Sequence, residues 1–287
     1  MILLDYSAVA IANIAVALHK DKEELTEFFV LHMILNSIRK SYKKNKGVFG
    51  DMVICCDSST NWRKTVFDAY KYKRRKDKKS SDIDWDFIYH HLEYTKEALR
   101  DGFPFKLIEV PDCEADDVIG TLARYSTENQ IDTVIISNDK DFVQCHSDYV
   151  SQWRPISESY MRHENPELQL KELIIRGDRD DGVPNIKSPD DIFKQEGKRQ
   201  KPIYKKEVDI WLRDDDNTFL NENAELKDNF ARNKLLIDLE QTPMFLQQRI
   251  LESYNAQANT KPNMGKMTQF FMKHHLRYLH EHINDFM

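Results

Sequence analysis

The sequence predicts an α/β fold, a mainly parallel central sheet flanked by helices and followed by a smaller helical region. Two short apolar runs end in a carboxylate, Ile2-Leu3-Leu4-Asp5 and Met52–Cys56 with Asp57 behind it. Further strand candidates, Phe105–Val110 and Thr133–Ile136, alternate with segments of helical periodicity. After about residue 165 the strand signal fades and only helical patterns remain.

In chain order, Ala8–His19 reads as a buried helix behind the first strand. Leu25–Lys44 reads as a longer amphipathic one, with Phe28, Phe29, Leu31, Ile34, Leu35 and Ile38 on its apolar side. Asp84–Arg100 and Asp117–Tyr125 supply the next helices. Residues 58–82 interrupt the alternation with Lys, Arg, Tyr and Ser, and so long an insertion without a strong apolar face points to function or disorder. Leu168–Arg176, Tyr204–Leu212, Leu226–Asp238, Phe245–Tyr254 and Met267–Phe286 are the later helices, reached through the Gly- and Pro-containing segment Gly177–Pro189. Asp214–Asn223 reads as a surface loop. The boundary that follows lies at 165/166.

A chain of 287 residues with 40% apolar and 31% charged composition supports a packed core under a soluble surface. The longest apolar stretch, Ala8–Leu18, is interrupted by Asn13 and follows Asp5, so neither a membrane span nor a signal peptide is expected. Cys55, Cys56, Cys113 and Cys145 form no CxxC pair, which excludes a zinc knuckle or redox dithiol and leaves free thiols in a reducing cytoplasm. The net charge of −6 is unevenly spread. Arg63–Lys79 holds nine Lys/Arg against Asp68 and Asp77, and Arg39, Lys40, Lys43, Lys44 and Lys46 form a second basic run.

The acids gather in five clusters. Asp5 and Asp57 end strands, and in open α/β sheets ligands bind beyond the carboxyl ends of the strands. Either alone could be a turn or capping Asp. Asn138-Asp139-Lys140-Asp141 continues the Thr133–Ile136 strand with period-two spacing, so Asp139 and Asp141 can share a face. Glu114, Asp116 and Asp117 open a helix, where capping uses one or two of them and a cation would relieve the repulsion left over. Asp178 and Asp181 share a face at three-residue spacing, with Asp180 turned away. Nine hard oxygen donors with little His or Cys favour Mg²⁺, with Mn²⁺ as a substitute, over zinc. Two such ions suit in-line displacement at phosphorus.

Trp62, Arg63, Lys64, Tyr70, Lys71, Tyr72, Lys73, Arg74 and Arg75 interleave rings with cations, the composition of a single-strand grip. A solvated loop is the plainer alternative. His274, His275, His280 and His282 read as a surface cluster. Met267, Phe270 and Phe271 resemble a sliding-clamp box, although Met264 stands where Gln is usual and the helix can bury them as core.

With these motifs in order along residues 1–190, the chain resembles the flap endonuclease/5′-3′ exonuclease family, and within it the ribonuclease H group of T-even-like phages. The matches are Ile2–Asp5, Val53–Asp57, Glu114–Asp117, Ile135–Phe142 and Gly177–Asp181, with Gly265–Phe271 similar to a late helix. The resemblance implies a PIN-like catalytic domain over 1–165, a helical arch at about 58–100, and a duplex-binding domain over 166–287 with a helix–three-turn–helix element. It implies that Asp5, Asp57, Glu114, Asp116, Asp139 and Asp141 surround two Mg²⁺ ions, with Asp117, Asp178 and Asp181 acting directly or through water. Lys71 and Arg74 then hold the scissile phosphate, and Arg63, Lys64, Tyr70, Lys73, Arg75 and Lys187 contact nucleic acid. Gly182–Lys187 departs from the family's often glycine-rich turn, so a potassium site is not carried over. The implied activity is 5′-3′ exonuclease, flap endonuclease and ribonuclease H cleavage of DNA and RNA–DNA hybrids in phage replication. A monomer in the bacterial cytoplasm, with a sliding clamp or single-stranded DNA-binding protein as partner, completes the expectation. Two other classes stay open from the residues: a Mg²⁺-dependent small-molecule phosphohydrolase using Asp5, and a non-catalytic junction-binding protein.

Overall fold

The computed structural model describes all residues except 21–23, 75–82, 196, 222 and 258–259, and the side chains of 19 and 20. Among the described residues the strands are β1 (Ile2–Asp5), β2 (Met52–Cys55), β3 (Lys106–Ile108), β4 (Thr133–Ile136), β5 (Val150–Arg154) and β6 (Ser159–Met161). They form one sheet in the order β3-β2-β1-β4-β5-β6. All neighbours are parallel except β5 and β6. β1, β2 and β4 are buried along their whole length, which is why they read as continuous apolar runs without alternation.

The chain clusters into two compact units that interleave in sequence, whereas the sequence reading divides it contiguously at 165/166. The first comprises Met1–Ser59, Asp84–Arg162 and Met244–Met287, the second Thr60–Ile83 and His163–Pro243. In the first, the sheet is flanked by α1 (Tyr6–Lys20) and α2 (Glu27–Phe49). Thr26 caps α2, its hydroxyl accepting from the Phe29 N–H at 3.2 Å. α2 runs five residues past the expected Lys44, through Gly47, where a Cβ would meet nothing within 4 Å among the described residues.

A helix we number α3 (Trp62–Val66) belongs to the second unit. α4 (Trp85–Gly102) follows, capped by Asp84. The resemblance implies an arch at about 58–100; within that span α4 buries Ile88, Leu92 and Leu99 in the first unit. α5 (Ala115–Glu128) completes the alternating part of the chain. β5 and β6 were not foreseen. Their sequences, VSQWR and SYM, carry polar residues at buried or edge positions and show no apolar alternation.

The second unit continues with α6 (Pro166–Arg176), α7 (Lys205–Leu212) and α8 (Ala224–Ile237). Its core has two apolar clusters, one around Phe67, Tyr70, Ile174, Val183 and Leu236, the other around Ile175, Ile186 and Val208. Asn233 donates to the Ile174 and Pro184 carbonyls at 2.7 and 2.8 Å, and Asn229 to the Ile186 carbonyl at 2.8 Å, so α8 satisfies the buried backbone of the loop behind α6.

The chain ends in the first unit with α9 (Met244–Ala256), α10 (Met264–Lys273), α11 (Arg277–Glu281) and a short 3-10 turn, Ile283–Phe286. The continuous helix expected over Met267–Phe286 is therefore broken, at His275, whose φ of 57° is left-handed. Phe271 and Phe286 are fully buried beside Phe103, and Met267 is fully buried too, so this stretch is core, not an exposed clamp box. His274 also departs from the expected surface cluster. It is buried, with Nδ1 on Glu27 at 2.6 Å and Nε2 on the Tyr94 hydroxyl at 2.9 Å. In the second basic run Arg39 and Lys43 pair with Asp285, and Lys40 and Lys44 are exposed.

No helix among the described residues is long and apolar enough to cross a membrane. Among the described residues no disulfide forms: Cys55, Cys56 and Cys113 are buried and Cys145 is partly exposed.

Candidate active site

The register of the parallel sheet brings three acidic clusters to one edge. β1 pairs with β2 so that Asp5 lies opposite Cys55, and with β4 so that Leu4 lies opposite Ile136. Asp5, Asp57 and the Ser137–Asp139 turn thus leave the carboxyl ends of three adjacent strands, spaced by roughly 5 Å per strand. Asp5 is buried. One carboxylate oxygen accepts from the Ser137 hydroxyl at 2.9 Å, the other from the Ala8 N–H at 3.4 Å. The same Ser137 hydroxyl accepts the Asp139 N–H at 3.1 Å, so one side chain ties Asp5 to the neighbouring acid.

Burial raises the Asp5 carboxyl to about 7, and repulsion from Asp57 and then Asp139 adds to it, against the favourable Ser137 hydrogen bond. Asp57 is exposed and accepts the Ala115 N–H at 3.0 Å, which draws the start of α5 to the end of β2. At that start Glu114 and Asp117 form a reciprocal capping box, the Glu114 N–H donating to Asp117 at 2.9 Å. Both are buried, and Asp116 is half-buried beside them. Asp139 is exposed and accepts the Asp141 N–H at 2.9 Å.

Asp5, Asp57, Glu114, Asp116, Asp117, Asp139 and Asp141 all belong to the first unit; Asp178 and Asp181 belong to the second. No three His, Cys, Asp or Glu side chains are drawn together tightly enough to hold a metal ion among the described residues. Asp57, Glu114, Asp117, Asp139 and Asp178 accept backbone N–H groups instead. The donor set still fits a hard divalent cation: the donors are oxygens, and burial followed by repulsion from Asp57 and Asp139 raises the Asp5 carboxyl, a cost that a cation would offset.

Two supporting residues carried no acidic signal in the sequence. Ser137 is one. The other is Gln152 on β5, fully buried, whose amide donates to the Ser137 carbonyl at 2.8 Å and the Asp139 carbonyl at 2.6 Å. It was hidden because β5 itself was missed. Gln152→Leu is expected to leave both carbonyls unsatisfied, destabilising the protein by about 1–3 kcal/mol. Urea unfolding measures this, and an unchanged midpoint would deny Gln152 that role.

In the second unit the basic insertion divides into buried and exposed parts. Arg63 and Tyr70, expected on nucleic acid, are buried at 1% and 2% exposure. Arg63 stacks on Trp62 and donates Nε to the Leu236 carbonyl at 2.9 Å, while the Tyr70 ring fills the Phe67 cluster. Neither is a surface for bases. Lys64 and Arg74 are exposed, Lys71 and Lys73 half-buried, and Arg75 lies outside the described residues. Lys187 pairs with Glu207 at 3.0 Å.

The 69–71 turn lies against the loop after α6. The Lys71 N–H donates to the Asp181 carbonyl at 2.7 Å, and the Tyr70 hydroxyl to the Asp181 carboxylate at 3.0 Å. Asp178 accepts the N–H groups of Asp180 and Asp181 at 2.8 and 3.1 Å, folding the acidic loop on itself.

The model of the 5′-3′ exonuclease N-terminal resolvase-like domain matches residues 2–173. The chain belongs to the 5′-3′ exonuclease family. It is accordingly a nuclease, of a metal-dependent family. A second model, the T4 RNase H C-terminal domain, matches residues 164–286 of this exonuclease-family chain. Ribonuclease H of Enterobacteria phage T4 is 28% identical over 292 residues, covering 99% of this chain and 95% of that protein. Flap endonuclease Xni of Shewanella woodyi is 27% identical across 45% of this chain and 50% of its own length. Among solved structures, the T5 5′-exonuclease with bound zinc superposes with a TM-score of 0.59 at 15% identity, over 91% of this chain and 99% of that one. That likeness shows the shared fold, a mostly parallel sheet flanked by helices.

Proposed function

We propose that this chain is a structure-specific 5′ nuclease acting on 5′ ends and flaps of DNA and on the RNA of RNA–DNA hybrids, removing primers and flaps in phage replication. The observation that carries the reading is the placement of Asp5, Asp57 and Asp139 at the ends of three adjacent parallel strands, with Asp5 buried and pressed by the other two. Asp5, Asp57, Glu114, Asp116, Asp139 and Asp141 would hold two Mg²⁺ ions, or Mn²⁺ in their stead, with Asp117, Asp178 and Asp181 contributing directly or through water. When bound, such a pair of ions supplies an activated water and stabilises the leaving oxygen.

On this reading the chain's own residues do the rest. Ser137 keeps Asp5 and Asp139 in a common frame, and the capping box holds Glu114 and Asp117 at the start of α5. Lys71 and Arg74 bind the scissile phosphate and counter its growing charge. Lys64 and Lys73 follow the backbone with a salt-dependent grip. Residues 1–165 carry the catalytic part, and the turns between α6 and α7 serve as the duplex-binding element of 166–287. The protein works as a monomer in the bacterial cytoplasm. A sliding clamp or single-stranded DNA-binding protein would engage surfaces other than Met267 and Phe271, which are core.

A 5′-labelled flap substrate with and without Mg²⁺, cut by the wild type and by Asp139→Asn, tests the assignment. Cleavage is expected only with the ion, and the variant is expected to lose roughly 10³-fold in rate while binding the flap. Normal cutting by Asp139→Asn would remove that residue from the site.

A further inference from the structure

The cations assigned to the scissile phosphate already have an anion. Asp181 places one carboxylate oxygen 3.6 Å from Lys71 Nζ and 3.0 Å from the Tyr70 hydroxyl, and the other 3.8 Å from Arg74 Nη1. All four residues belong to one unit. Lys71 also lies over the Tyr70 ring at 5.1 Å and has a left-handed backbone, φ 54°, held by its N–H bond to the Asp181 carbonyl. A strained non-glycine residue fixed from both backbone and side chain marks a place where geometry is being imposed. The side chains of Lys71 and Asp181 are 15% and 20% exposed, so the pair is shielded from salt more than a surface contact is.

A carboxylate and a phosphate diester present the same acceptor chemistry to a Lys, an Arg and a phenol. We propose that Asp181 is an internal counter-anion that holds Lys71 and Arg74 in the protein free of both substrate and metal and yields them to a phosphate of the nucleic acid. The proposal rests on the reading of Lys71 and Arg74 as phosphate-binding residues. Both ion pairs are longer than a close hydrogen-bonded bridge, so an incoming phosphate can displace the carboxylate without prying apart a tight contact. The exchange keeps the two cations oriented when no substrate is present and lowers resting affinity for stray anions, which raises selectivity for chains that engage the rest of the surface.

The test measures binding, not cleavage, with the full chain in EDTA and a fluorescent 5′-phosphorylated oligothymidylate read by anisotropy. Asp181→Asn is expected to tighten binding about fivefold, the equivalent of releasing two loose ion pairs. Asp180→Asn, the same charge change one residue away, is expected to alter it by less than about twofold. In a Lys71→Ala, Arg74→Ala background the gain from Asp181→Asn should vanish. Asp181→Ser guards against misfolding of the first variant and is expected to give the same tightening, with native melting curves recorded for each. No tightening, equal tightening by Asp180→Asn, or a gain that survives without Lys71 and Arg74 overturns the counter-anion role. If the wild type and the Lys71→Ala, Arg74→Ala protein bind the oligonucleotide equally, the phosphate-binding reading falls as well, which separates the two failures.

Discussion

Asp5→Asn is expected to abolish cleavage, by roughly 10³-fold or more, and at the same time to stabilise the metal-free protein at neutral and alkaline pH. The sign follows from the direction of the shift. Burial, then Asp57 and Asp139, lift the carboxyl from its ordinary 3.8 to about 7 in the folded chain. Between those values the folded state binds the proton more tightly than the unfolded state, so this group's contribution to stability falls as pH rises from about 4 to 7. Above pH 7 the full penalty is present. Asparagine removes that charge. The melting temperature of Asp5→Asn should therefore match the wild type near pH 4 and exceed it by several degrees at pH 8 in EDTA. Adding Mg²⁺ should narrow the gap at pH 8 by raising the wild type more than the variant, because a ligand of the folded state stabilises only where it binds. A gap that is widest in acid, or absent at pH 8, would mean that Asp5 is not strained by its acidic neighbours.

That prediction draws on the part of the molecule most open to reading from residues alone. β1, β2 and β4 are short, fully buried and uninterrupted, and a parallel sheet places whatever follows such runs at a common edge, so Asp5, Asp57 and Asp139 could be grouped before any coordinates. Asp116 and Asp117 were legible because three acids crowd one helix start. What stayed hidden is polar support. Ser137 and Gln152 carry no periodicity and act through hydrogen bonds that only the folded chain reveals, Ser137 to Asp5 and Gln152 to the Ser137 and Asp139 carbonyls. The basic insertion misled in a physical way. Interleaved rings and cations suggested an exposed single-strand grip, but Trp62, Phe67, Ala69 and Tyr70 are spaced to bury, and they take Arg63 inward with them. His275 shows a third kind of concealment: the apolar spacing of Met267–Phe286 suits one helix, and a single left-handed residue redirects the chain to seat Phe286 against Phe103.

Gly182→Ala is the second large effect expected, and it reaches the site through backbone alone. Gly182 has φ +74°, and a Cβ there would sit 2.6 Å from the Ala69 carbonyl oxygen, a backbone atom that cannot swing aside. Gly177, φ +69°, is equally confined, an added Cβ there clashing with the Val183 carbonyl oxygen, so the acidic loop is pinned by glycine at both ends. Alanine at 182 must either strain its own dihedral or push the 69–71 turn away, costing about 2–3 kcal/mol. The displaced turn carries the Lys71 N–H bond to Asp181 and, with it, the orientation of Lys71 and Arg74. Cleavage of a 5′ flap is therefore expected to drop by roughly ten- to a hundredfold, since misplacement of a positioning group by about 1 Å costs on that order. Gly47→Ala supplies the contrast: it lies within α2, a Cβ there meets nothing within 4 Å among the described residues, and its backbone is not left-handed, so alanine should stabilise by roughly 0.5–1 kcal/mol. Urea midpoints for both variants, with flap cleavage under saturating Mg²⁺, make the comparison. If Gly182→Ala unfolds and cuts like the wild type, the close approach of the two loops does not govern the phosphate grip, and the link from Asp181 to Lys71 loses its functional meaning.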